Sequence, residues 1–433
     1  MNEFDADVVI VGAGPAGSAL GAYLAQAGHD VVILEKSGFP RDKICGDALT
    51  PRAVKEVGYL GLETPESEGW HRNRGLRLIG GGHRLEIDWP DIDGTPNYGL
   101  TRPRMGMDEA FARHAQRSGA RLFEQVKALS PDIGEDGWVR GVHATGTDHR
   151  GRRVGPDAHF RAPIVVAADG VSSRLAVAMG LEKRDDRPMG VAVRAYHSSP
   201  RHADEYIESW VEMRSTNPAG ESEVLPGYGW LFPMGDGTIN IGAGLLDSSP
   251  QFGSVDLRAV MREWIADMGE EWGIDASTEI GPIKSAALPM AFNRTPHFHR
   301  GLLLIGDSGG MVNPFNGEGI DYALESARLA AEVISTYARY PESIMRERLA
   351  EYPALVGDSL GRYFTLGRVF SAIIGHPSLM HFGIKYGMGV DVVMEFVVRL
   401  LANLYRDPTM SEADLIDRVI AGLTRIVPAT SNA

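Results

Sequence analysis

Residues Ala6–Lys36 read ADVVIVGAGPAGSALGAYLAQAGHDVVILEK, a strand, a glycine turn, a helix and a second strand in unbroken succession. The apolar run Val8–Val11 predicts a buried strand. Gly12-Ala13-Gly14-Pro15-Ala16-Gly17 follows at once as G-x-G-x-x-G. A helix is expected from about Ala16 to Ala27, with Ala16, Leu20, Tyr23, Leu24 and Ala27 at helical spacing. Gly28 can stop it in a left-handed conformation. Val31–Leu34 predicts the next strand, which ends on Glu35. In this order the glycines have physical jobs: a tight turn at Gly12, close approach of a pyrophosphate at Gly14, and close helix–strand packing at Gly17. The helix N-terminus offers unpaired N–H groups to phosphate. Glu35, 18 residues beyond Gly17, stands where a carboxylate accepts from ribose hydroxyls. The stretch predicts a dinucleotide site; a plain strand–helix–strand turn is the alternative.

The chain has 433 residues, of which 43% are hydrophobic, enough for two domains or one large composite one. Its 43 basic and 57 acidic residues give a net charge of −14, which argues against nucleic-acid binding and a polybasic membrane anchor. Cys45 is the single cysteine, so no intrachain disulfide can form. No signal peptide and no apolar run of membrane-spanning length is read. Val369–Ile384 comes nearest but is broken by His376-Pro377. A cytoplasmic protein is expected, with peripheral contact at the inner face of the membrane as an option. No metal site is expected.

Beyond Glu35, Arg41 and Lys43 can pair with phosphate or with surface acids. Cys45-Gly46-Asp47 precedes a helix starting near Pro51. It reads either as a loop over the redox ring of a cofactor or as a small buried hydrophobe beside a helix-capping Asp. Gly69–Trp89 suggests strands and a hairpin around Gly80-Gly81-Gly82. Arg102 or Arg104 can reach a cofactor from the start of a helix spanning Met107–Ser118. Ala120–Val126 reads as one strand. Trp138–Ala144 and Ala158–Arg161 read as parts of a meander. Ile164–Ala168 is a further buried strand and ends on Asp169-Gly170.

From Gly190 to Gly244 the pattern alternates like an inserted antiparallel sheet. Tyr228, Trp230 and Phe232 fall on one face of a strand, as sheet core or as an apolar wall facing a ligand. Gly242-Ala243-Gly244 lacks a following helix and is discounted as a nucleotide site. Val255–Met268 reads as an amphipathic helix. Leu302–Ile305 is another buried strand, followed by Gly306-Asp307, then Pro314 and Gly317-Glu318-Gly319-Ile320 at the start of a helix over Asp321–Tyr337. Asp307 can accept from ribityl hydroxyls. The Gly317–Ile320 N–H groups can face a phosphate or a flavin edge. The last 90 residues read as helical, with Phe382–Tyr405 strongly apolar on one face.

Three separated segments, Gly12–Glu35, Ala168-Asp169-Gly170 and Gly306-Asp307 through Gly319, together resemble the FAD-binding set of the group containing aromatic hydroxylases and geranylgeranyl reductases. Cys45-Gly46-Asp47 and Tyr228–Pro233 resemble the geranylgeranyl reductase family, in which Cys-Gly-Gly often replaces Cys-Gly-Asp. The Trp-x-Trp-x-Ile-Pro signature of flavin halogenases is absent. The apolar C-terminal region is most similar to the actinobacterial members that saturate one isoprene unit of menaquinone.

The resemblance implies a Rossmann-type α/β FAD-binding domain, an inserted antiparallel-sheet substrate domain and a helical C-terminal region. The expected boundaries are 1–75, 100–180 and 296–345 for the first, 76–99 and 181–295 for the second, and 346–433 for the third. It implies FAD contacts from Gly12, Ala13, Gly14, Pro15, Ala16, Gly17, Glu35, Lys36, Arg41, Cys45, Gly46, Asp47, Arg102, Val126, Asp169, Asp307, Gly317, Gly319 and Ile320. Cys45, Asp47, Tyr228 and Trp230 are the expected catalytic residues. The implied reaction reduces a C=C bond of a polyprenyl lipid or quinone, and the electrons come from NAD(P)H, ferredoxin or a reduced quinone. The competing expectation on the same scaffold is an FAD monooxygenase of an aromatic or polyketide substrate.

Overall fold

The computed structural model describes residues 2–216, 222–225, 227–247, 252–374 and 383–429. Val8–Val11 lies in the middle of a six-stranded sheet. It pairs in parallel with Val31–Glu35 on one side and Ile164–Ala167 on the other. Arg121–Glu124 and Leu302–Leu304 extend the parallel part outward, and Phe298–His299 closes one edge antiparallel. In chain order the five parallel strands are arranged 3-2-1-4-5, so the order reverses beside Val8–Val11. Ligands bind at the carboxyl ends of such strands, at that reversal.

The helices Pro15–Gln26, Arg104–Arg117 and Ile320–Tyr337 cover one face of this sheet. Val8, Ile10, Leu20, Phe111 and Ala327 share that core with Tyr352, Leu360 and Phe364 of the helix Tyr352–Ile374. A four-stranded sheet covers the other face, where Val9, Val11 and Leu34 meet Val142, Ala144 and Phe160. The single strand expected over Ala120–Val126 is two: Gln125, at φ +58°, separates Arg121–Glu124 from Val126–Ile133 and sends the chain from one sheet into the other.

The inserted sheet has seven strands. It is antiparallel except where Tyr206–Trp210 runs parallel to Gly75–Gly80. The Gly80-Gly81-Gly82 hairpin is present and adds its two strands at the sheet edge. Alternation assigns the faces. Val193, Ala195, Leu231, Ile239, Ile241 and Ala243 pack on the helix Leu257–Trp272. Their neighbours Arg194, Tyr196, Trp230, Asn240 and Gly242 therefore point the other way, toward the parallel sheet's ligand end. Among the described residues no helix is long and apolar enough to cross a membrane. Part of the Val369–Ile384 run, residues 375–382, lies outside the described residues.

Candidate functional site

At the end of the first strand, Gly12 adopts φ +105°, and a Cβ there would sit 2.3 Å from the Ala168 carbonyl oxygen. A Cβ on Gly17 would sit 1.9 Å from the Gly12 oxygen. Both positions bring backbone against backbone, which only glycine allows. Gly14 differs: its Cβ would meet nothing nearer than Arg41 Nη2 at 4.0 Å. The helix Pro15–Gln26 starts there with no side-chain cap, so its first N–H groups are left without a side-chain acceptor. Glu35 is buried beside this turn, accepting from Ala13 N–H at 3.1 Å, from Ser37 N–H at 3.0 Å and from Arg41 Nη2 at 3.1 Å.

Arg41 also donates to Asp108 Oδ2 at 2.7 Å, and Arg104 grips the same carboxylate through two bonds of 2.6 and 2.9 Å. Burial raises the Asp108 pKa, but Arg104 and Arg41 overcome this and hold it below the usual range. Arg41 Nε is buried without a partner among the described residues. An uncapped helix N-terminus, a cation with a spare donor and a ribose-side carboxylate fit the diphosphate and ribose of FAD.

The other expected cofactor residues are placed as follows. Lys36 is exposed, and its carbonyl accepts from Thr147 Oγ1 at 2.8 Å. Val126 packs at the edge of the core between the parallel and four-stranded sheets. Asp169 is turned to its own backbone: it accepts from Arg174 N–H at 2.9 Å and from Ser308 Oγ at 3.3 Å, and burial raises its pKa. Asp307 pairs with Lys43 at 3.2 Å and lies 3.5 Å from where a Gly319 Cβ would be. Gly317, Gly319 and Ile320 form the uncapped entry to the helix Ile320–Tyr337. Arg102 lies over the Trp70 ring at 5.0 Å and lines a surface groove of about 550 Å³. Arg104, at the first position of its helix, is the arginine turned to the interior.

The loop Cys45-Gly46-Asp47 packs against the polar face of the seven-stranded sheet. A Cβ on Gly46 would be 2.8 Å from the Phe232 ring and 3.6 Å from Trp230 Nε1. Arg194 holds the loop by donating to Asp42 Oδ1 at 2.7 Å, to the Lys43 carbonyl at 2.9 Å and to the Cys45 carbonyl at 3.3 Å. Asn240 donates to the Cys45 carbonyl at 2.9 Å and to Asp47 Oδ2 at 3.0 Å, and accepts from Trp230 Nε1 at 2.9 Å. Tyr196 OH donates to the same Asp47 oxygen. Asp47 Oδ1 is buried with no partner among the described residues. Burial pushes the Asp47 pKa up to about 6, against the opposing pull of Tyr196, Arg194, Arg104 and Asn240.

Asp47 sits at φ +68°, a region that glycine enters freely and Asp more readily than most residues. That is why Asp can stand where the resembling family often has Gly. Tyr228, Trp230 and Phe232 continue the wall, with successive ring centroids 5.9 and 6.2 Å apart. Tyr228 OH donates to the Asn316 carbonyl at 2.5 Å, and burial raises its pKa. The second glycine pattern makes room for the wall: a Cβ on Gly242 would be 2.1 Å from the Trp230 ring.

Arg194, Tyr196 and Asn240 were not singled out from the sequence. The signal is a polar residue on the otherwise small or apolar alternate positions of Val191–Tyr196 (VAVRAY) and Thr238–Gly244 (TINIGAG). Arg194→Met should loosen the Cys45 loop. Asp42 keeps Lys284 as a partner at 2.6 Å and is partly exposed, so the expected stability loss is about 1–3 kcal/mol, below that for an isolated buried pair. Chemical denaturation measures it.

The family profile described as "FAD binding domain" matches residues 5–343. The chain is 37% identical over 425 residues to a protein of Mycobacterium tuberculosis named menaquinone reductase, covering 98% of this chain and 97% of that one. It is 30% identical over 341 residues to the digeranylgeranylglycerophospholipid reductase 1 of Methanopyrus kandleri, covering 76% and 80%. The crystal structure of a geranylgeranyl bacteriochlorophyll reductase-like protein from Thermoplasma acidophilum superposes with a TM-score of 0.70 at 19% identity, covering 98% and 96%.

Proposed function

The chain belongs to the FAD-binding-domain family, within its geranylgeranyl reductase group, and on that premise we propose that it is a reductase saturating one C=C bond of a polyprenyl chain, the substrate being an isoprene unit of menaquinone. The observation that carries this reading is the apposition of the Cys45-Gly46-Asp47 loop to the Trp230 and Phe232 rings. It sets an acid beside an apolar aromatic wall.

When bound, FAD would be held by the Gly12–Gly17 turn, Glu35, Lys36, Arg41, Asp307 and the Gly317–Ile320 backbone, and once reduced it would supply the hydride. The protein's own residues do the rest. Asp47 holds a proton on Oδ1, because Oδ2 is the oxygen occupied by Tyr196 and Asn240. Either Asp47 or the partly buried Cys45 delivers the proton to the substrate. Tyr228, Trp230 and Phe232 line the isoprenoid, exclude water, and stabilise positive charge growing on the tertiary carbon through their ring faces. Cys45→Ala should keep FAD bound and lose most activity, as anaerobic product analysis would register. Full activity would remove the thiol from the path.

An anaerobic incubation tests the function. Purified protein, chemically reduced, is mixed with menaquinone carrying an unsaturated side chain. The expected product is heavier by two hydrogens, and oxygen is not needed. Substrate-stimulated oxygen consumption with no saturated product would favour a monooxygenase.

A lipid substrate requires the protein to visit the bilayer. Tyr386, Val390, Val392 and Val393 are exposed at and just before the helix Asp391–Leu401. Behind them, Met388, Met394 and Val398 belong to an apolar cluster that reaches Phe232. This helix face is the membrane-contacting surface in our reading. The Val392→Asp, Val393→Asp double variant should co-sediment less with liposomes while keeping activity on a short-chain soluble analogue. Unchanged co-sedimentation would place the contact elsewhere.

A further inference from the structure

The four-stranded sheet behind the parallel sheet carries a cluster that the reaction does not use. Val126–Ile133, Val139–Thr147 and Arg153–Arg161 are neighbouring antiparallel strands. His143 and His159 are direct cross-strand partners, so they leave the same face, and their rings stack 4.7 Å apart. Asp132 pairs with Gly141, two residues before His143, which puts it diagonally beside that histidine on the same face. Val142, Ala144 and Phe160 fill the opposite face and pack on the parallel sheet, so the platform is rigid. The three polar side chains stay partly accessible, at 30% for Asp132, 39% for His143 and 14% for His159.

Both imidazoles turn Nε2 to the one carboxylate. Asp132 Oδ2 is 2.9 Å from His159 Nε2, and Oδ1 is 3.8 Å from His143 Nε2. The first is a hydrogen bond. The second is beyond hydrogen-bond reach and is an ion pair only when the imidazole is protonated, so a hydrogen bond accounts for the placement of His159 but not of His143. One ligand atom from each residue lies within 4.8 Å of the other two. Ligands held about 2.0–2.2 Å from a tetrahedral ion stand about 3.3–3.6 Å from one another, inside the range these atoms already occupy.

We propose that Asp132, His143 and His159 bind a divalent transition-metal ion, with Zn2+ as the type case. Two imidazole nitrogens and one carboxylate suit Zn2+, Co2+, Ni2+ or Cu2+, whereas Mg2+ and Ca2+ take oxygen shells. The partial exposure of all three side chains leaves water as the fourth ligand. An ion there ties three strands together and takes no part in alkene reduction. Spacings of 11 and 16 residues between the ligands resemble no sequence motif; the strand register assembles them.

The test uses tag-free, full-length, FAD-loaded protein stripped with chelator. Titration with Co2+, followed by visible absorption, and with Zn2+, followed by calorimetry, should saturate at one equivalent, with excess Mg2+ unable to compete. His143→Ala should weaken Zn2+ binding by at least the roughly 10–100-fold that losing even an outer-sphere partner costs. His143 makes no short hydrogen bond to Asp132 and loses only its stacking on His159, so the metal-free melting temperature should change little. Asp132→Asn should weaken binding similarly while keeping an oxygen for His159. Added Zn2+ should raise the melting temperature of the parent protein and not that of His143→Ala. Absence of saturable Co2+ or Zn2+ binding, or equal affinity in the parent and His143→Ala, overturns the proposal.

Discussion

Asp47→Asn should lower turnover by about 100-fold or more, leave FAD bound, and make the folded protein more stable at pH 8. A positioned acid typically contributes about 10²–10⁴-fold, which sets the scale of the first effect. The second follows from burial. The Asp47 pKa rises from 3.8 to about 6 on folding, so the fold disfavours the charged form. Below pH 3.8 the group is neutral in both states and costs nothing. The penalty grows as pH rises from 3.8 to 6 and is complete above 6, where it amounts to about 3 kcal/mol at 1.36 kcal/mol per pKa unit. Asparagine carries no charge and is free of this penalty. The gap in melting temperature between variant and parent should therefore open between pH 4 and pH 7. The parent's rate should fall as pH rises through about 6, because the proton-bearing form is lost, and that limb should be missing from the residual activity of the variant. A variant that is inactive but less stable than the parent at pH 8 would mean that Asp47 is held as a structural anion.

Gly17→Ala should give colourless protein with a reduced melting temperature, whereas Gly14→Ala should give a normally folded apoprotein that binds FAD weakly. The two glycines share one motif but face different things. A methyl on Gly17 would meet the Gly12 carbonyl oxygen at 1.9 Å, a backbone atom fixed by the parallel sheet. The helix must then move off the strand, at a cost of about 1–3 kcal/mol and with loss of the turn geometry. A methyl on Gly14 meets only Arg41 Nη2, at 4.0 Å, so the apoprotein should melt as the parent does. It would project into the space where the diphosphate approaches the backbone. Flavin absorbance and apoprotein melting separate the two outcomes. A Gly14→Ala protein that binds FAD as tightly as the parent would move the phosphate away from this turn.

Local motifs carried most of the fold. Val8 through Glu35 is a strand, turn, helix and strand whose partners are close in sequence, so periodicity and glycine placement were enough to read it. The parallel sheet and the inserted sheet follow from such segments, and the strands Gly227–Pro233 and Thr238–Leu246 form where the alternation of Gly190–Gly244 put them. The break at Gln125 was not legible, because a left-handed Gln between two β-prone runs has no local signature. Helical phase hid the role of Arg104. From sequence, Arg102 and Arg104 stood equal before the helix, yet Arg104 sits four residues before Asp108, and that i, i+4 pair turns it inward while Arg102 stacks on Trp70. Asp47 needed the structure for a different reason. Its Tyr196 and Asn240 partners come from strands about 150 and 190 residues away, and only sheet register brings them onto one carboxylate oxygen.

Mass spectrometry of the quinone pool bears most directly on the central claim. The gene is expressed in a host whose menaquinone side chain is fully unsaturated, with the Asp47→Asn form as control. The account predicts a menaquinone species heavier by two hydrogens, with one isoprene unit saturated, in cells making the parent protein and a strongly reduced amount with the variant. A quinone pool of unchanged mass beside soluble, FAD-loaded parent protein would contradict it.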